Sequence, residues 1–105
     1  MERDDVLKIV RGYLEDLGRR IDVAEAYIFG STARGDRLRS SDVDILVVSP
    51  SVEDMRPDDR IKLAYSVWKH TLSADIFILT PAEFHYLKDR SVVLRDASKY
   101  WIKIV

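Results

Sequence analysis

The stretch GSTARGDRLRSSDVDILVV, Gly30 to Val48, sets two glycines, three arginines, three acids and four hydroxyl side chains ahead of an apolar run. Its tail, Ile45 to Val48, is apolar at every position. That pattern predicts a strand buried on both faces and central in a sheet. Two aspartates, Asp42 and Asp44, stand at the entrance to this strand. A buried carboxylate is costly unless it is paired or bound to a metal. These two therefore either stay wet at a strand end or meet something cationic.

At positions i and i+2 of a strand, Asp42 and Asp44 point to one face and Val43 to the other. Two carboxylates so placed repel each other unless cations intervene. They suit Mg²⁺, which takes oxygen ligands, keeps waters and adds substrate phosphates. A two-metal phosphoryl-transfer site holds its ions roughly 3.5–4 Å apart, clamping the attacking and leaving oxygens. A third acid would complete such a site. Asp75 is the candidate, at the start of the otherwise apolar run ADIFILT, Ala74 to Thr80. Upstream, Gly30 lets backbone approach a phosphate closely. The Ser31 hydroxyl and the free N–H groups of a helix start can donate to phosphate oxygens. Arg34 adds positive charge on the same loop, and Gly35 lets the chain turn after it.

Outward from this stretch the elements are legible. Val6, Leu7, Ile9, Val10, Tyr13, Leu14 and Leu17 recur at helical spacing, which predicts a helix over Arg3 to Leu17 with Gly18 as its stop. VAEAYIFG, Val23 to Gly30, reads as a strand. Ser49 to Asp59 reads as a loop, and Pro57 opens a helix through about His70. Its inner face is expected to be Ile61, Ala64, Tyr65 and Trp68, flanked by Leu63 and Val67. ADIFILT is a third strand. Thr80, Pro81 and Glu83 form a capping-box signature, so a helix follows through about Lys88. SVVLRDASKY, Ser91 to Tyr100, is read as another short helix, and the final YWIKIV as a terminal strand. The expected class is α/β (α+β), a small mixed sheet flanked by helices.

Composition bounds the rest. With 105 residues, 47% of them hydrophobic, the chain is expected to form one domain over residues 1–105. Its 17 basic and 18 acidic residues leave a net charge of −1, which argues against gripping long nucleic acid through phosphates. There is no cysteine, hence no disulfide or thiolate metal site. The N-terminus is too charged for a secretory signal, and no apolar run approaches the roughly 20 residues of a membrane span. A cytoplasmic, soluble protein is the expectation.

The pattern Gly30-Ser31, ten residues, Asp42-Val43-Asp44 resembles the active-site signature of the DNA polymerase β-like nucleotidyltransferase superfamily. The fuller wording FGSTARGDRLRSSDVDILV is similar to its smallest members, the minimal nucleotidyltransferases. Some of those are antitoxins encoded beside HEPN-domain toxins. The resemblance implies the polymerase β-like fold. It implies Gly30 and Ser31 as nucleotide-binding residues, and Arg34, whose charge lies on the same loop, is taken as a third. It implies Asp42, Asp44 and Asp75 as catalytic carboxylates on two Mg²⁺ ions, Asp75 positioning or activating the attacking hydroxyl. The implied reaction is attack of an acceptor hydroxyl on the α-phosphate of a nucleoside triphosphate, ATP foremost, releasing pyrophosphate. Larger relatives attach acceptor-recognition domains, so the expected acceptor here is held by a partner or is the partner. A HEPN toxin adenylylated on tyrosine is the most economical choice.

Each residue also has a plainer reading. Asp42 could end the turn after RSS, Asp75 could be an edge-of-sheet carboxylate, and Ser31 could be an N-cap. Arg37 and Arg39 read as a solvated loop face, and His70 and His85 receive no role. Two other functions stay open: an antitoxin that neutralises by occlusion without catalysis, and a catalytic subunit paired with a separate substrate-binding subunit. A homodimer and a mixed complex with a helical partner are both compatible with the sequence.

Overall fold

The computed structural model describes residues 3–30, 42–92, 95 and 100–105. Strands β1 (Glu25–Phe29), β2 (Val43–Val48), β3 (Ala74–Leu79) and β4 (Ile102–Lys103) form one sheet in the order β3-β2-β1-β4. β1 runs antiparallel to β2 and β4, whereas β2 and β3 are parallel. A parallel pair needs a crossover. Here it carries a 3₁₀ turn (Pro50–Val52) and a helix, Pro57–Val67, called α2 after α1 (Arg3–Leu17) and before α3 (Pro81–Arg90). This is the mixed α+β class expected, with three helices on a four-stranded sheet among the described residues.

β2 is central, as its apolar tail predicts, and its residues 45–48 are buried. On one face Ala26, Ile28, Val43, Ile45, Val47, Ile76 and Ile78 pack with Val6, Val10, Tyr13, Leu14 and Leu17 of α1 and with Ala64 and Val67 of α2. On the other face Tyr27, Leu46 and Val48 pack with Phe84 of α3, and Phe29, Leu79 and Trp101 border them. Tyr27 stacks on Trp101 with ring centroids 4.1 Å apart. Residues 25 to 29 form β1, narrower than the expected 23 to 30, and β2 begins at Val43, one residue after Asp42. β4 is the expected terminal strand, two residues long. Most of the segment read as a short helix after α3 lies outside the described residues.

The inner face of α2 differs from expectation. Arg60, Ala64 and Val67 are buried, while Ile61 is 54% and Tyr65 40% exposed. The reason is Arg60. Its Nε donates to Met55 O at 3.2 Å, and its Nη1 to Ile78 O at 3.4 Å and to Glu83 Oε1 at 2.6 Å. With its head satisfied and its stem packed, arginine takes a core position and turns the helix by about one residue. Tyr65 then reaches β3, the edge strand. Its hydroxyl donates to Ala74 O (3.0 Å) and accepts from Ile76 N–H (3.1 Å), occupying edge groups that a further strand would otherwise pair.

α3 starts as its sequence dictates. Thr80 Oγ1 accepts from Glu83 N–H, and Glu83 Oε1 accepts from Thr80 N–H at 2.7 Å. That backbone bond, with Arg60 beside it, holds the Glu83 carboxyl below its ordinary value of 4.5, against a smaller opposing effect of burial. The unfolded chain therefore takes up this proton first as the pH falls. The stability it contributes is whole above about pH 4.5 and is lost as the pH falls through the lower folded value. Glu83→Gln keeps the capping geometry and removes this titration. Denaturant melts at pH 5 and pH 3 are expected to show a smaller acid loss for the variant than for the parent.

Candidate functional site

Because β1 runs against β2 and β2 runs with β3, the C-terminal end of β1 meets the N-terminal ends of β2 and β3 at one sheet edge. Register aligns Phe29 with Asp44 and Asp44 with Asp75, a single row across three strands. Neighbouring strands lie about 4.8 Å apart, and aligned residues share a face. Asp44 and Asp75 thus stand side by side, on the same face as Phe29, Leu46 and Phe77. Asp42 precedes β2 by one residue and is exposed, as is Asp75, while Asp44 is half-buried.

Gly30 explains how Asp44 is seated. Its φ is +71°, a conformation that L residues rarely adopt. A Cβ built on Gly30 would clash with Asp44 Oδ2 and lie 3.2 Å from its Cγ. The carboxyl of Asp44 therefore rests over the bare Cα of Gly30. Sequence reading gave this glycine a role toward phosphate; its contact with Asp44 is a second constraint on the same atom. Ser31 and Arg34 lie outside the described residues.

Among the described residues, no three His, Cys, Asp or Glu side chains gather closely enough to hold a metal ion between them. Mg²⁺ does not require such a cage. It binds through one or two carboxylates and completes its octahedron with water and substrate phosphates. Asp44 and Asp75 in register, with Asp42 nearby, offer oxygen donors of that kind at an open edge. The donor set fits a hard divalent cation.

Next to Asp44 the sheet face opens into a groove of about 280 Å³, lined by Phe29, Asp44, Leu46, Phe77, Leu79, Leu87 and Ser91. The Phe29 and Phe77 rings meet across β2 with centroids 6.2 Å apart, and Phe77 is 51% exposed. Sequence reading missed these aromatics. The signal was alternation: Phe77 is two residues after Asp75, so both belong to one face. A larger cavity, about 510 Å³, lies between the C-terminal half of α1 and the end of the chain, and none of the candidate residues lines it.

The sequence profile of the Nucleotidyltransferase domain family matches residues 7–102. No curated protein matches. Among solved structures, a candidate nucleotidyltransferase from Sulfolobus solfataricus superposes with a TM-score of 0.71 at 28% identity, over 96% of this chain and 80% of that one. A toxin–antitoxin structure with AMP-PNP gives a TM-score of 0.49 at 20% identity. A mutant of the toxin–antitoxin MntA-HpeT gives 0.48 at 18%. Each of these two covers all of this chain and 73% of its own.

Proposed function

Since the chain belongs to the nucleotidyltransferase domain family, we propose that it transfers a nucleoside monophosphate, AMP from ATP, to a hydroxyl group on a partner protein. The observation that supports this most is the row Asp44–Asp75 at the edge where Gly30 seats Asp44. Asp42 and Asp44 would hold two Mg²⁺ ions, with Asp75 as a further ligand of one of them; when bound, the ions neutralise triphosphate charge and align it for displacement. Gly30 and Ser31 bind the triphosphate through backbone and hydroxyl donors, and Arg34 adds a cation. Asp75 orients the acceptor hydroxyl and draws its proton as the oxygen attacks the α-phosphorus. The new P–O bond forms as the bond to the bridging oxygen breaks, and pyrophosphate leaves. Most of the acceleration comes from alignment and charge, as in phosphoryl transfer generally.

The likeness of FGSTARGDRLRSSDVDILV to minimal nucleotidyltransferases supports a cytoplasmic HEPN-domain toxin as the partner, modified on a tyrosine hydroxyl. We read residues 1–105 as one catalytic domain. The test is incubation with α-labelled ATP, Mg²⁺ and the neighbouring gene product. Wild type is expected to label that protein and Asp44→Asn to lower the labelling at least 100-fold. No transfer by wild type, or equal transfer by Asp44→Asn, sinks the reading. Neutralisation that survives in Asp44→Asn without any label would identify occlusion instead.

A further inference from the structure

The groove beside Asp44 is too small for a whole nucleotide and has the wrong lining for its charged half. At about 280 Å³ it falls just under the roughly 300–1,000 Å³ that encloses a drug-sized ligand. Five of its seven lining residues are Phe or Leu. It therefore suits one flat, apolar part of a ligand whose charged part lies outside. Asp44 supplies the continuity, because it belongs both to the carboxylate row and to the groove wall. A ligand whose phosphates met Mg²⁺ held at Asp44 would have the groove directly beside it. From there the groove runs along the sheet face, past the paired rings of Phe29 and Phe77, to Leu87 and Ser91 at the end of α3.

We propose that this groove is the base-binding half of the nucleotide site, with Phe77 as its stacking surface. The assignment rests on the proposed transferase reading, in which ATP is the donor, and adds how the base is held. Every nucleobase has a π-face, so stacking on an aromatic ring tolerates any of them. Discrimination needs polar groups that meet the base edge, because a site built on hydrogen bonds rejects analogues that cannot make them. Asp44 and Ser91 bracket a wall that is otherwise Phe and Leu. The groove consequently holds the base by its face, and the protein accepts all four common nucleoside triphosphates, purines better than pyrimidines because they offer more ring.

The test is calorimetric titration of the full chain with ATP, GTP, CTP, UTP and inorganic tripolyphosphate, each with Mg²⁺. Wild type is expected to bind all four nucleotides within about tenfold of one another and tripolyphosphate more weakly. Phe77→Ala is expected to weaken the nucleotides about 5- to 140-fold, the range that loss of one stacked base implies, and to leave tripolyphosphate unchanged. Phe77→Tyr is expected to restore nucleotide binding. Phe77 is half in solvent on an edge strand, so a melt reports whether Phe77→Ala remains folded. Equal binding of tripolyphosphate and ATP, or more than 100-fold preference for one base, overturns the groove while leaving the transferase reading in place. A Phe77→Ala effect confined to the KM for acceptor gives the groove to the acceptor and also overturns the proposal. Binding of neither nucleotide nor tripolyphosphate removes both readings together.

Discussion

Replacing Gly30 with alanine is expected to lower nucleotidyl transfer about 100- to 1,000-fold, the usual cost of displacing one preorganised charged group from a catalytic site, in a protein that still folds. Two separate penalties act at this position. The first is backbone: a φ of +71° costs an L residue about 1–2 kcal/mol. The second is contact: the added methyl would press well inside van der Waals contact of Asp44 Oδ2. Alanine cannot relieve both at once. Holding the backbone drives the Asp44 carboxyl aside, and keeping that carboxyl moves the end of β1. The two penalties separate in a double-mutant cycle. In an Asp44→Ala background the contact is gone, so Gly30→Ala should cost only the backbone share of stability. The coupling measured by denaturant melts is then the energy of the Gly30–Asp44 contact. Additive losses would show that Asp44 adapts freely and that Gly30 serves the backbone alone.

The sequence made the sheet and the edge legible for physical reasons that can be named. An uninterrupted apolar run, Ile45 to Val48, has to be covered on both sides, and β2 is. Thr80 and Glu83 close a capping box whatever surrounds them, so the start of α3 was readable to the residue. The aspartates could be placed at strand entrances, but their register could not be read from one strand at a time. Asp44 meets Asp75 only because a parallel crossover sets β3 against β2 in that alignment. The inner face of α2 departs from expectation by about one residue because Arg60, which was not among the residues expected to face inward, is buried. Its burial depends on Met55 O, Ile78 O and Glu83, partners from three different segments. The Phe29–Phe77 pair was likewise invisible, since its rings come from strands on either side of β2. What local pattern encodes was read; what a long-range contact decides was not.

Asp44→Asn and Asp75→Asn are expected to fail in different ways, and the difference tests how the row divides its work. Asp44 is half-buried, sits over Gly30 and forms part of the groove wall. Taking away its charge should weaken the Mg²⁺-dependent binding of ATP as well as transfer. Asp75 is exposed at the start of the edge strand, one position outward in the same row. As the group that orients and deprotonates the acceptor, it should matter mainly once the triphosphate is in place. Asp75→Asn is expected to lower kcat about 100- to 10,000-fold, the span of general acid–base contributions. Calorimetric affinity for ATP with Mg²⁺ should stay within a few-fold of wild type. A change in kcat with little change in binding marks an interaction made in the transition state. Neither substitution should shift the melting temperature by more than a few degrees, since asparagine keeps the shape of aspartate. If Asp75→Asn transfers at the wild-type rate, Asp75 is a solvated edge carboxylate and the acceptor hydroxyl must lose its proton to another group. If it loses ATP affinity as fully as Asp44→Asn does, the two carboxylates act as one metal-binding unit and the division of roles is wrong.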